Sequence, residues 1–176
     1  MDFSEFVRFL QRRSSVREYD TTPLTDEEIA DIVSASETAP SAGNLEAWDV
    51  VVVTDEDSRL ALSDAAFSQP HVAEAPVLFV VCANYVRSMS QYGERGILYA
   101  VQDATIAGTY MMLAAHAMGI SSCWTGAFEE DEVREILGLP PHIRPLVILA
   151  AGRSQAASLR AAGHRDIHSH IHYNEW

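Results

Sequence analysis

The chain has 176 residues, 48% of them apolar, and a net charge of −13 from 25 acidic and 12 basic side chains. That length and apolar share suit one domain, residues 1–176, with a sizeable core and a C-terminal arm at 153–176. So acidic a surface argues against nucleic acid or anionic membrane as a partner, and every base is arginine, a pattern that fits plain solubility or a salt-rich cytosol.

Phe3, Phe6, Val7 and Leu10 recur at helical spacing, which predicts a helix from Asp2 to Arg12. The acids in this helix make it neither signal nor transit peptide, so a cytoplasmic protein is expected. Thr25 with Glu28 forms a capping box for a second helix, which Ile29, Ile32 and Val33 bury and which ends before Pro40. Trp48 to Thr54 reads as a buried strand, Asp55 to Phe67 as a helix and Val77 to Ala83 as a second strand. Asn84 to Gly96 is polar, carries Gly93 and Gly96, and reads as a loop. Ile120 to Thr125 is a short strand, Glu129 to Leu137 an acidic helix ended by Gly138, and Pro145 to Ala151 a further strand. Strands alternate with helices, so the class is α/β or α+β. Cys82 and Cys123 sit in apolar surroundings outside any CxxC motif and read as small buried hydrophobes.

Ile97 to Met118 organises the rest. Read as one helix it spans roughly 33 Å, enough to cross a bilayer. Gln102, Asp103, Thr105, Thr109 and His116 interrupt the apolar run, and an Asp at a membrane midplane costs roughly 2.5–3.5 kcal/mol. No Lys/Arg cluster flanks either end to set an orientation. The remaining reading is a core helix that other elements wrap, with sharing between two subunits left open. Ala100, Ala104 and Gly108 form a row of small residues along it.

Four stretches can carry chemistry. Arg12, Arg13, Ser14, Ser15 and Arg17 combine guanidinium forks with hydroxyls, a ready phosphate receptor. Pro40-Ser41-Ala42-Gly43-Asn44 is small enough for backbone to approach a planar ligand, and the Asn44 amide can read a ring edge. Taken alone it is also an ordinary helix-to-strand loop. Cys123-Trp124-Thr125-Gly126-Ala127-Phe128 follows a strand and either exposes backbone N–H groups to a ligand or simply turns into a helix. In the tail, His168, His170 and His172 can share a strand face, or His164, His168 and His172 a helix face. No Cys or carboxylate completes that set, so a polar tail is the simpler reading and no metal is expected. Arg165 is a further phosphate contact. There is no GxGxxG, no P-loop and no nucleophile–base pair, which suits a phosphate-bearing cofactor that does the chemistry itself.

In order, RRSSVREYD, APSAGNLEAW, EAPVLFVVCAN, the LYAVQDATIAGTYMMLAAHAMGI helix, SSCWTGAF with ILGLPP, and IHYNEW resemble the nitroreductase family of flavin enzymes over nearly the whole chain. The resemblance implies an α+β, three-layer fold, a central β-sheet flanked by helices, that dimerises through long helices with FMN at the interface. By position, Arg13, Ser14, Ser15 and Arg17 would hold the FMN phosphate and ribityl end. Ser41, Ala42 and Asn44 of the second subunit would border the isoalloxazine ring. Thr125, Gly126 and Ala127 would present N–H groups near flavin N5 and O4, and Arg165, with His164, would close over the phosphate. Glu46 and Ala47 depart from the family's common Gln and Pro, and an ionised Glu46 cannot donate to the ring edge. The resemblance implies an FMN-dependent oxidoreductase taking hydride from NAD(P)H to a nitroaromatic or quinone. From its position before the core helix, the segment Asn84 to Gly96, with Tyr85, Arg87, Tyr92 and Arg95, is expected to line the entrance. The rival readings are a non-catalytic flavin-storing dimer and a metal-binding tail.

Overall fold

A computed structural model describes residues 2–155 and 166–176. In chain order the elements are α1 (Phe3–Arg12), α2 (Asp26–Ser34), β1 (Trp48–Val53), α3 (Glu56–Ala65), α4 (Pro70–Glu74), β2 (Val77–Asn84), α5 (Tyr85–Tyr92), α6 (Arg95–Ala117), β3 (Ser121–Thr125), α7 (Glu130–Leu137) and β4 (Ile143–Gly152). Short 3₁₀ turns lie at Ala35–Thr38, Ala42–Asn44 and Ile167–His170.

The four strands form one antiparallel sheet in the order β1-β2-β4-β3, with a bulge in the β2–β4 ladder between Val81 and Cys82. β2 is buried along its whole length, and the two-residue period of a strand sorts its side chains between two cores. Phe79, Val81 and Ala83 pack with Ala104 and Met111 of α6 and Ile32 of α2. Leu78, Val80 and Cys82 pack on the other face with Leu62 of α3, Val72 of α4 and Val133 of α7. Helices therefore cover both faces, as the expected three-layer arrangement requires.

The capping boxes form as their sequences dictate. Thr25 Oγ1 accepts the Glu28 N–H at 3.2 Å and the Glu28 carboxylate accepts the Thr25 N–H at 2.8 Å. Arg153 then grips the same carboxylate at 2.6 Å, tying α2 to the end of β4.

The central helix is one 23-residue element, buried along Gly96, Ala100, Asp103, Ala107, Met111 and Ala115. The small-residue row faces the sheet: a Cβ added at Gly108 would lie 3.3 Å from the Trp124 ring. The opposite side is open, with Leu98, Gln102, Thr105 and Tyr110 exposed. Among the described residues no helix is long and apolar enough to cross a membrane.

The expected loop at Asn84–Gly96 is a correction. It holds the eight-residue helix α5, capped by the Asn84 side chain, which accepts the Arg87 N–H at 3.1 Å. Gly93, at φ 56°, ends that helix and turns the chain into α6. Gly93 is thus a stop between two helices, while Gly96 lies inside α6, where an added Cβ would lie 2.6 Å from the Met89 backbone nitrogen.

Candidate functional site

The N-terminal Arg/Ser cluster is laid along an edge of the sheet. Ser15 bridges Ser122 of β3 in parallel, and the Val16 N–H donates to the Ser122 carbonyl at 3.0 Å. Further on, the Tyr19 hydroxyl reaches the Val16 and Ala150 carbonyls at 2.7 and 3.1 Å, and the Asp20 N–H donates to the Arg153 carbonyl at 2.8 Å. Burial pushes the Tyr19 phenol far up, so it stays a neutral strut.

These contacts set Arg12, Arg13 and Ser14 around a cleft of about 220 Å³ whose far wall is His116, Ser121 and Ser122. His116 is itself oriented, its Nε2–H donating to the Phe9 carbonyl at 3.0 Å.

Arginine usage sets this end of the molecule apart. Among the described residues, Arg59, Arg87, Arg95, Arg134, Arg144 and Arg153 each donate to a carbonyl, a hydroxyl or a carboxylate. Arg8, Arg12, Arg13 and Arg17 have no hydrogen-bond or ion-pair partner among them. In a chain carrying −13, guanidiniums left without a carboxylate beside hydroxyls are of the chemistry that accepts an anion, and Arg12 and Arg13 are the two that line this cleft.

Thr125 joins this group from the end of β3. Burial pushes the Cys123 thiol up, while the charges of Arg17 and Arg13 and the hydroxyls of Thr125 and Ser15 pull it the other way. The thiol thus marks the point where the predicted residues converge, and it is 1% exposed, a buried filler as its sequence context suggests. Thr125 Oγ1 is hydrogen-bonded to buried His71 Nε2 at 2.7 Å. Desolvation lowers the His71 pKa and the Arg17 charge lowers it further, while Glu74 opposes them. The next turn is held by Gln69, whose amide donates to the Ala127 carbonyl at 3.1 Å. Gly126 and Ala127 are exposed, and their N–H groups have no acceptor among the described residues.

Ser41, Ala42 and Asn44 lie elsewhere, beside the first half of α6. Asp103, 3% exposed, accepts the Ala42 N–H on one carboxylate oxygen at 2.9 Å and the Ala47 N–H on the other at 3.2 Å. Ser41 Oγ accepts the Glu46 N–H at 3.0 Å, and Arg87 donates to the Glu46 and Trp48 carbonyls at 2.5 and 2.9 Å. Gly43, Asn44 and Glu46 all take positive φ, at 59°, 56° and 49°, inside this clamp. Glu46 is exposed, so the clamp uses its backbone and leaves its carboxylate outside. Asp103 and His116 are separated on α6 by roughly 20 Å at 1.5 Å per residue. One chain therefore does not bring Ser41, Ala42 and Asn44 to Arg13, Ser14, Ser15 and Arg17.

The remaining predicted residues divide. Arg165 and His164 lie outside the described residues. Of the residues expected at the entrance, Arg87 donates to the Glu46 and Trp48 carbonyls and to Asp49, the Tyr85 hydroxyl meets Arg144 at 3.4 Å, and Arg95 donates to the Tyr99 hydroxyl beside Tyr92. His168 and His170 are exposed, His172 stacks on Trp176, and among the described residues no group of three His, Cys, Asp or Glu is placed to hold a metal. Sequence reasoning missed the contacts of Asp103, His71 and Gln69. Asp103 carried a signal, as the single formal charge between Ile97 and Met118.

The architecture alone places the chain among three-layer α+β proteins with an antiparallel sheet. Comparison with known proteins narrows this to one family. The family model described as "Nitroreductase family" matches residues 10–74 and 64–153. A putative NADH dehydrogenase/NAD(P)H nitroreductase of Archaeoglobus fulgidus is 32% identical over 152 residues, covering 84% of this chain and 84% of the relative. The FMN reductase (NADPH) of Bacillus subtilis is 31% identical over 160 residues, covering 83% of this chain and 64% of that one. The solved NADPH:FMN oxidoreductase from Vibrio harveyi, complexed with NAD+, superposes with a TM-score of 0.88 at 25% identity, over 97% of this chain and 77% of that one. The chain belongs to the nitroreductase family.

Proposed function

We propose that residues 1–176 work as one nitroreductase-like domain, a cytoplasmic homodimer that binds FMN and passes reducing equivalents from NAD(P)H to a nitroaromatic or quinone. Two observations carry this reading: among the described residues Arg12, Arg13 and Arg17 have no hydrogen-bond or ion-pair partner, and the exposed Gly126 and Ala127 N–H groups have no acceptor. A phosphate at one end of a ligand and an electron-rich ring edge at the other are what such donors accept. The family membership supplies the identity of that ligand.

FMN, when bound, supplies a ring that takes up a hydride from the nicotinamide and gives it to the acceptor. The chain's part is to hold it. Arg13 and Arg17, with Ser14, Ser15 and Arg165, are assigned to the phosphate and ribityl oxygens. Thr125, Gly126 and Ala127 are assigned to the ring edge at N5 and O4, where their N–H groups meet the charge that builds up on reduction. Ser41, Ala42 and Asn44 are assigned to the ring of the other subunit. The separation along α6 supports that division, because one copy cannot present both sets to one ligand. Dimerisation is further supported by the exposed Leu98 and Tyr110 on the uncovered side of α6 and by α1, whose Phe3, Phe6 and Leu10 are 81%, 41% and 38% exposed.

The visible spectrum of the purified protein tests this first. Flavin bands at one FMN per chain, bleached by NAD(P)H and restored by a quinone, are expected. A colourless protein that takes up no added FMN refutes the reading. Bound FMN that NAD(P)H does not bleach makes the protein a flavin store instead.

A further inference from the structure

The cluster at the junction of α5 and α6 holds Tyr92 and Arg95, two of the residues expected at the entrance, and has no part in holding the cofactor. Tyr92 and Tyr99 meet edge to face with ring centroids 4.9 Å apart. Arg95 lies beside them, its Nε donating to the Tyr99 hydroxyl at 2.7 Å. Among the described residues the Arg95 guanidinium has no carboxylate partner, so both of its outer nitrogens remain free. The group adjoins the clamped loop: a Cβ added at Gly43 would lie 2.4 Å from the Tyr92 hydroxyl. Tyr99 also shares an open groove of about 500 Å³ with Ser41 and Ala42.

We propose that Arg95, fixed on the Tyr92–Tyr99 ring pair beside the Gly43 turn, makes this protein select planar aromatic acceptors that carry a carboxylate or sulfonate. The inference rests on the oxidoreductase reading and names the substrate class of that same site. A guanidinium with two free outer nitrogens matches a carboxylate or sulfonate in bidentate fashion. Tyrosine faces and edges match a planar ring. The surrounding charge gives the residue its weight, since a chain at −13 repels anions and a single arginine bonded to Tyr99, which lines the groove, opposes that locally. Tyr99 holds the guanidinium in place, so less ordering entropy is lost when the anion arrives.

The test compares 4-nitrobenzoate with its methyl ester, in the wild-type protein loaded with FMN and in Arg95→Gln. In each turnover NAD(P)H gives a hydride and solvent a proton, converting the nitro group to nitroso with release of water and NAD(P)+. The ratio of kcat/KM for acid over ester is expected to fall about tenfold in Arg95→Gln, and to recover in part in Arg95→Lys. Benzoate, which is not reduced, is expected to bind Arg95→Gln about tenfold more weakly by calorimetry. A variant whose ratio stays within about twofold of wild type, in an enzyme that turns over both compounds, overturns this inference alone. A wild-type protein that neither binds FMN nor oxidises NAD(P)H overturns the oxidoreductase reading and this one with it.

Discussion

Replacing Asp103 by asparagine leaves the shape of the side chain and removes half of its function. The carboxylate accepts two backbone N–H groups, from Ala42 and Ala47, one on each oxygen. An amide offers a single acceptor oxygen, and its NH₂ then faces a donor. One N–H loses its partner, and Ala47 is fully buried, so water cannot substitute there. A buried donor left unsatisfied costs about 1–3 kcal/mol. Asp103→Ala strands both donors and costs about twice that, a large part of the roughly 5–15 kcal/mol that holds a domain together. Urea unfolding of both variants measures these losses. The same clamp fixes the loop with Asn44 and Glu46 in left-handed conformations, which relax once it is gone. FMN affinity, measured where Asp103→Asn is still folded, is therefore expected to drop along with stability. An Asp103→Asn protein within about 0.5 kcal/mol of wild type would refute the argument that these two bonds shape the loop.

Arg13→Gln and Arg17→Gln are each expected to weaken FMN binding by about 10- to 100-fold while leaving thermal stability unchanged, because neither guanidinium has a partner to lose among the described residues. A fluorescence titration at low and high salt measures this, and the effect is smaller at high salt. His71 is held below its ordinary value by burial, so the unfolded chain takes up its proton first as pH falls. Stability from this group is complete above about pH 6.5 and declines below it, by at most about 1.4 kcal/mol per pH unit. His71→Gln should flatten that stretch of the pH–stability curve. Gly43→Ala places a Cβ on a residue at φ 59° and against the Tyr92 hydroxyl. A loss of about 1–2 kcal/mol in chemical denaturation is expected.

What was legible in the sequence was local. Thr25 and Glu28 announced a helix start through a bond that spans three residues, and the apolar runs of β1, β2 and β4 announced strands. The α5 helix was missed because eight residues give little more than two turns of periodicity, and Gly93 and Gly96 read as loop formers when one of them is a helix stop. The order β1-β2-β4-β3 was not legible at all, since nothing in a strand's own residues names its neighbour. The site divides in the same way. Arg13, Ser15 and Arg17 stood out as a run of matching chemistry. His71 drew no notice because its partner is Thr125, reached only after the sheet has folded. Asp103 was visible as an oddity, but its meaning depended on a loop some sixty positions earlier.

The pairing of Ser15 with Ser122, and of Asp20 with Arg153, has a consequence for how the protein is made. Synthesis runs from the N-terminus at about 5–20 residues per second, so Arg13 and Arg17 leave the ribosome several seconds before β3 and β4 exist. During that interval the arginines belong to a free strand-like segment in front of an amphipathic helix, with no sheet edge to lie on. The receptor proposed for the phosphate would be assembled only once β3 and β4 arrive. Binding of FMN therefore reports a finished chain, and a translation product halted before β3 keeps the charges without the site.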